Sequence, residues 1–304
     1  MRKHIHVCQQ LDKPFKVWKA EIAMMLGQAL LWKKYYNKPT HLYCDSNTYQ
    51  IFKDLDILDA WDVVDLSVLD ETVDINKTRF WSAGKIRVMS VQTEPYVMSD
   101  LDMICFDNLS NTHFFETDFV AYHKETWFLN PVYAWPKNKL KEVDFKPSVK
   151  TSWFASPFNV AIIAMNNMEL NQQFTENSLQ YMKRASALSP PAYTNNQYTI
   201  FAEQYMMSAI VNGNGYESDC LIAATYLDHG RWINTRKGLW SLRENWKHSM
   251  HLWLDKYNFN AGSAREQWYI DTILAKLNEI DPKISEWIAN KLSNVSSYKQ
   301  YLRM

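Results

Sequence analysis

The sequence predicts an α/β fold: a Rossmann-like mixed, mostly parallel sheet flanked by helices, with a helical C-terminal extension. Three observations carry that expectation. Short β-prone runs alternate with helix-period segments through the first hundred residues. Two of those runs end on carboxylates, Asp45 and Asp100, where parallel sheets bind their ligands. No repeat, low-complexity tract or linker rich in Pro, Gly or Ser interrupts the chain.

Taken in order, His4 to Cys8 is the first short strand. Residues 17 to 36 form a helix, with Trp18, Ile22, Met25, Ala29 and Trp32 at the spacing of an amphipathic stripe. Asn37-Lys38-Pro39 ends it. "HLYCD", His41 to Asp45, is the second strand; Asn47 to Ile57 is helical, and Val63 to Leu66 is the third strand. Trp81 to Gln92 is a helix leading into a fourth strand, Tyr96 to Ser99. Further on, Thr117 to Tyr122, Phe158 to Met165 and Cys220 to Tyr226 read as strands, and Gln197 to Val211 as a helix. From Arg265 the chain is helical, with a break at Asp281-Pro282.

Composition narrows the function classes. The 304 residues carry 33 basic and 33 acidic side chains, so no global charge points to nucleic acid or anionic lipid. Four cysteines (Cys8, Cys44, Cys105, Cys220) are scattered without CxxC spacing and read as reduced core residues of a cytosolic-type compartment. The N-terminus lacks the apolar stretch of a signal peptide, and residues 17–31 are too short and polar to span a bilayer. The expectation is a cytoplasmic protein, soluble or peripheral at a membrane.

The chemistry concentrates in "YVMSDLDMICFDNL", Tyr96 to Leu109. A strand stops on Asp100 and Asp102, one residue apart, and a second apolar run follows. Carboxylates at i and i+2 can face one pocket, and hard divalent cations such as magnesium and manganese take oxygen ligands and substrate phosphates. The competing reading is a turn in which both carboxylates cap backbone amides.

This element resembles the strand–DxD–strand of GT-A type glycosyltransferases, in particular the glycogenin-like, galactosyltransferase-like and DXD sugar-binding families. The preceding helix "WSAGKIRVMSVQ" carries Lys85 and Arg87, as a basic residue does there. "SPFNVAIIAMNN" is similar to the family's "FNSGVMLIN" strand, with Asn159 in the Asn position and Ala161 replacing the Gly. "FAEQYMMSAIV" resembles its "DQxxLN" helix, with Glu203-Gln204 for Asp-Gln. The resemblance runs from about residue 3 to 257. It implies one GT-A domain over 1–264, with a nucleotide-binding half at 1–110 and a sugar and acceptor half at 111–264; residues 265–304 extend that domain.

The resemblance further implies a manganese or magnesium cofactor and a nucleotide-sugar donor, UDP-linked first. Asp102 would bind the metal directly, Asp100 would bind it or the ribose, and His251 in "SMHLWLDKY" would complete the site, with His248 as the fallback. Gln9 (with Gln10), Asp45, Lys85, Arg87, Asn159, Gln204 and Lys256 would hold the donor. Asp45 has a competing role as a helix N-cap, and the Gly expected before Lys256 is missing. Glu203 would contact the sugar or act as a base, and the resemblance favours a retaining reaction.

For the acceptor, residues 229–256 interleave basic side chains with tryptophans. Trp232, Trp240, Trp246, Arg236 and Lys237 are candidate contacts. A glycan or lipid-linked oligosaccharide is the first expectation and modified bases of DNA the alternative. A non-catalytic carbohydrate- or nucleotide-binding protein of the same fold is the second alternative. A sugar nucleotidyltransferase ranks lower, because the loop after the first strand, "QQLDKPFKVW", has no glycine.

Overall fold

In the computed structural model of the chain, residues 2–10, 16–110, 112–125, 136–188, 195–222, 224–228, 231–234, 245–252, 263–295 and 298–303 are described. The chain divides into two units, one of Met1–Asp70, Met98–Asn111 and Asn245–Met304, the other of Glu71–Val97 and Thr112–Glu244. Elements are numbered along the whole chain.

The first unit is built on a parallel ladder. Strand β1 (Lys3–Cys8) pairs with β2 (Thr40–Cys44), which pairs with β3 (Val63–Asp65), both in parallel register. Helices α1 (Lys19–Tyr36), α2 (Ser46–Asp54) and α3 (Ser67–Asp70) connect and cover these strands. The end of β4 (Tyr96–Ser99) and strand β5 (Met103–Cys105) follow. The unit closes with α9 (Asn245–His248), β13 (Ser249–His251), α10 (Ala264–Ile280) and α11 (Pro282–Val295). The expected α/β class is the one observed.

Helix α1 departs from its expected amphipathic stripe, because it is buried on nearly every side from Ala20 to Ala29. A helix apolar all round needs cover all round, and α1 has β5 on one flank and α10 and α11 on others. Ile22, Met25, Ile104, Ile273, Leu277 and Ile288 share one core. The C-terminal helices are therefore core elements of this unit. Asn37 ends α1 as expected, in the left-handed region (φ 48), its N–H bonding the Lys33 carbonyl at 2.9 Å.

Gly27 marks the tightest approach on α1. A Cβ there would lie 2.6 Å from Ile104 Cδ1 and 3.3 Å from Leu277 Cδ1. Gly27→Val is expected to cost about 2 kcal/mol through overpacking, read as a lower urea midpoint; an unchanged midpoint would show that the core yields there.

The second unit contains α4 (Ala83–Ser90), β6 (Phe119–Ala121), β7 (His123–Glu125), α5 (Pro136–Glu142), β8 (Phe158–Asn159), β9 (Ile162–Met165) and α6 (Met168–Ser186). After these come α7 (Asn195–Ile200), α8 (Met206–Asn214), β10 (Ser218–Cys220), β11 (Ala224–Asp228) and β12 (Arg231–Asn234). Strand β6 takes β10 in parallel and β9 antiparallel. A separate sheet runs β12-β11-β7-β8.

Three expected elements divide here. The strand expected over Phe158 to Met165 breaks into β8 and β9, because the Asn159 side-chain oxygen accepts the Ala161 N–H at 3.1 Å and turns the chain. Residues Cys220 to Tyr226 contribute to two strands, β10 and β11. The helix expected over Gln197 to Val211 is α7 and α8 joined by a π-helical turn, Phe201–Tyr205. Helix α6 was not anticipated from the sequence; Asn167 caps it, accepting from the N–H groups of Glu169 and Leu170.

Candidate active site

The first unit holds the clearest constellation. Strand β4 ends at Ser99, and the turn Asp100–Asp102 leads into β5, with the Met103 N–H on the Asp100 carbonyl at 3.3 Å. Strand β13 lies antiparallel to β5, setting His251 opposite Met103. One further bond, Leu252 N–H to the Asp102 carbonyl at 3.0 Å, locks the register. A slip of one residue would turn the imidazole to the other face.

The result is a convergence of Asp100, Asp102 and His251, each offering one ligand atom within 4.8 Å of the others. His251 Nε2 lies 3.7 Å from Asp102 Oδ1, too far for a hydrogen bond. That spacing falls between the separations of adjacent (about 3.0 Å) and opposite (about 4.2 Å) octahedral ligands of a small divalent cation, so modest side-chain rotations would bring both groups onto one ion. Two carboxylates and one imidazole form an oxygen-dominated set that suits manganese or magnesium. His248, the fallback ligand, is committed elsewhere, its Nδ1 2.6 Å from Asp107 Oδ2.

Also in this unit, Asp45 caps α2: its Oδ1 accepts the Thr48 N–H at 2.8 Å, and Oδ2 takes the Gln10 N–H. The Gln9 amide donates to the Leu69 carbonyl at 3.3 Å. Asp45 and Gln10 thus stitch the β1 and β2 ends together by structural bonds, with both Asp45 oxygens in use.

The second unit gathers Lys85, Asn159 and Glu203. Lys85, from α4, donates to the Val160 carbonyl at 2.7 Å and pairs with Glu203 Oε1 at 3.0 Å. Both side chains are buried, and Glu203 Oε2 has no hydrogen-bond partner among the described residues. Glu203 sits in the π-helical turn, a rare local geometry often found at functional sites. Ser178 donates to the Ala202 carbonyl in that turn at 2.7 Å. Gln204, next in the turn, is half-buried. Arg87 is tied to Glu71, at 3.0 Å to its carbonyl and 3.3 Å to its carboxylate.

One buried carboxylate escaped sequence reading. Glu125, on β7, accepts from the Asn159 amide at 3.1 Å, and its Oε2 is buried without a hydrogen-bond partner among the described residues. Its signal was faint: β7 reads His-Lys-Glu, a polar strand on which His123 and Glu125 share one face. Burial pushes its carboxyl up to about 8, against a partial offset from the Asn159 hydrogen bond. A raised carboxyl pKa means the folded chain holds a proton that the unfolded chain releases above about 4.5. Stability contributed here is therefore full at low pH and falls as pH rises toward 8, by up to about 1.4 kcal/mol per pH unit. Glu125→Gln is expected to remove that decline, raising the melting temperature relative to the parent at pH 8.5 far more than at pH 5.5; equal shifts at both would contradict it.

Lys256, Trp240, Arg236 and Lys237 lie outside the described residues. Trp232 falls on β12 and Trp246 on α9, but their side chains lie outside them too.

A family model described as a family of unknown function (DUF6734) matches residues 20–258. No curated protein matches the chain. Among solved structures, the chain is similar to the galactosyltransferase LgtC in complex with donor and acceptor sugar analogues, at 8% identity and TM-score 0.34 over 66% of this chain and 70% of that one. PaToxG glycosyltransferase aligns at 10% identity and 0.38, over 66% and 68%. Mouse xyloside xylosyltransferase 1 in its apo form aligns at 11% and 0.32, over 71% and 77%.

Proposed function

The chain belongs to DUF6734, a family of unknown function, and we propose that it is a metal-dependent glycosyltransferase that moves a sugar from a nucleoside diphosphate, UDP first, to a hydroxyl of a glycan or lipid-linked oligosaccharide. The observation that carries this reading is the convergence of Asp100, Asp102 and His251 where β4 ends. The resemblance of the surrounding DxD element to GT-A enzymes supports the same reading.

In it, Asp100, Asp102 and His251 hold the cation. When bound, manganese or magnesium supplies Lewis-acid stabilisation of the diphosphate leaving group. The chain's own residues do the rest. Burial of Asp102 keeps bulk water from its carboxylate, so charge interactions there are weakly screened. Glu203, with Oε1 engaged by Lys85, offers Oε2 to a sugar hydroxyl. In this reading Glu203 orients the donor sugar, in keeping with the retaining reaction that the resemblance implies. Gln204 supplies a further amide contact to the donor, whereas the buried Asn159 amide is committed to Ala161 and Glu125 and shapes the turn between β8 and β9. Among the described residues no helix is long and apolar enough to cross a membrane.

The test is nucleotide release from a panel of nucleotide sugars, with manganese, with magnesium and with EDTA. The expected result is slow hydrolysis of one donor that EDTA abolishes. Binding of a nucleotide sugar with no release under any acceptor would instead support a non-catalytic binding protein.

A further inference from the structure

Directly before the Asp-x-Asp turn, in the same unit, runs a chain of buried polar groups that the metal site does not itself use. Ser99, the last residue of β4, has its hydroxyl 2.9 Å from His4 Nε2 and 3.0 Å from His6 Nε2. Trp61 donates its indole N–H to His6 Nδ1 at 3.0 Å. His4, His6 and Ser99 are essentially inaccessible to solvent. His4 lies against the Trp32 ring at 5.2 Å, and His6 meets Trp61 edge-on at 5.8 Å.

Chemistry fixes the direction of this chain. An indole N–H can only donate, so His6 Nδ1 accepts. Burial holds His6 neutral, its pKa lowered to about 3, and lowers that of His4 well below the usual range, with the neighbouring His6 and His41 adding to the effect. The single proton of His6 therefore sits on Nε2 and is donated to Ser99. The Ser99 O–H in turn donates a hydrogen bond to His4 Nε2. That leaves the His4 proton on Nδ1, which is buried with no partner among the described residues.

As core filling this arrangement makes little sense. Apolar side chains of similar volume would avoid desolvating two imidazoles and a hydroxyl, and would leave no orphaned N–H. What the chain does accomplish is to grip one residue from two sides, and that residue is bonded to Asp100. We infer that the Trp61–His6–Ser99–His4 chain positions the Asp-x-Asp carboxylates for the divalent cation, with Ser99 as the positioning residue. The inference rests on the metal-site reading above. Neutral imidazoles suit the task, because they supply one donor and one acceptor each without placing a fixed positive charge beside the carboxylates. Groups that orient metal ligands from outside the coordination sphere commonly change affinity by about 10–100-fold when removed.

The experiment titrates the full chain with Mn2+ alone and counts free ion by electron paramagnetic resonance. Wild type and Asp102→Ala establish the site, and Ser99→Ala, Ser99→Thr and Trp61→Phe probe the chain. Ser99→Ala is expected to raise the Mn2+ Kd about tenfold or more at a temperature where circular dichroism shows it folded. Ser99→Thr, which keeps the hydroxyl, should bind nearly as wild type. Should Ser99→Ala not fold, Trp61→Phe removes only the donor that sets the His6 tautomer and should raise the Kd severalfold. Variants that lose thermal stability yet keep the wild-type Kd would reduce the chain to core packing and overturn the inference alone. A wild type that binds no Mn2+, or binds it equally well after Asp102→Ala, would overturn the metal-site reading and the inference with it.

Discussion

Asp102→Asn is expected to lower kcat/KM for sugar transfer by about a thousandfold, a loss of about 4 kcal/mol of transition-state stabilisation. The residue is nearly isosteric, so the fold should survive. Asp102 is the more buried of the two candidate carboxylates and the one His251 lies beside, at 3.7 Å. Asparagine keeps one oxygen but loses the charge that draws a hard cation. Asp100→Asn, on a more exposed carboxylate, should cost less. The check is steady-state kinetics on the donor identified by nucleotide release, at saturating and at limiting manganese. A thousandfold loss that added manganese does not rescue would place the residue in direct coordination. Unchanged kinetics would remove Asp102 from the mechanism.

Lys85→Met should produce the largest stability change, about 3–5 kcal/mol, because it strands Glu203 as an uncompensated charge in the core of the second unit. The Val160 carbonyl loses its donor in the same stroke. Adding Glu203→Gln to Lys85→Met removes the stranded charge and should restore a large part of the loss. A double-mutant cycle in urea measures this coupling. Additive losses would mean that the 3.0 Å pair contributes nothing in solution. Glu203→Gln alone removes the carboxylate that Lys85 meets at 3.0 Å and should also cost stability, so its transfer kinetics are read at a temperature where circular dichroism shows it folded.

Much of the first unit was legible because its signals are local. Alternation of period-2 and period-3.6 patterns marked β1, α1, β2, α2 and β3 nearly residue by residue. The Asp-x-Asp pair stood out because two charges interrupt an apolar run, which is costly unless something binds them. His251 was found through the resemblance, and the antiparallel pairing of three-residue strands β5 and β13 gives that position its physical reason. What the sequence hid is long-range or side-chain driven. The Lys85–Glu203 pair joins residues on different helical elements, and no local pattern announces it. The break between β8 and β9 depends on one Asn159 side chain bonding forward to Ala161. The π-helical turn around Glu203 looks like ordinary helix in periodicity. His4 and His6 read as strand residues, and their meaning emerges only when β1 and the end of β4 bring both rings to Ser99. Asp45 shows the reverse hazard: a carboxylate at a strand end that serves as the cap of α2.

The central claim is that Asp100, Asp102 and His251 bind a divalent cation that a nucleoside diphosphate completes. The most direct measurement is the melting temperature of wild type and Asp102→Asn with UDP, GDP, CDP and ADP, each with and without manganese. Ligand at about a hundred times its Kd stabilises the native state by about 2.7 kcal/mol. The account predicts a rise for one nucleotide, UDP first, that requires manganese and is absent in Asp102→Asn. No rise for any nucleotide in the presence of manganese, or a rise that persists in Asp102→Asn, would contradict it.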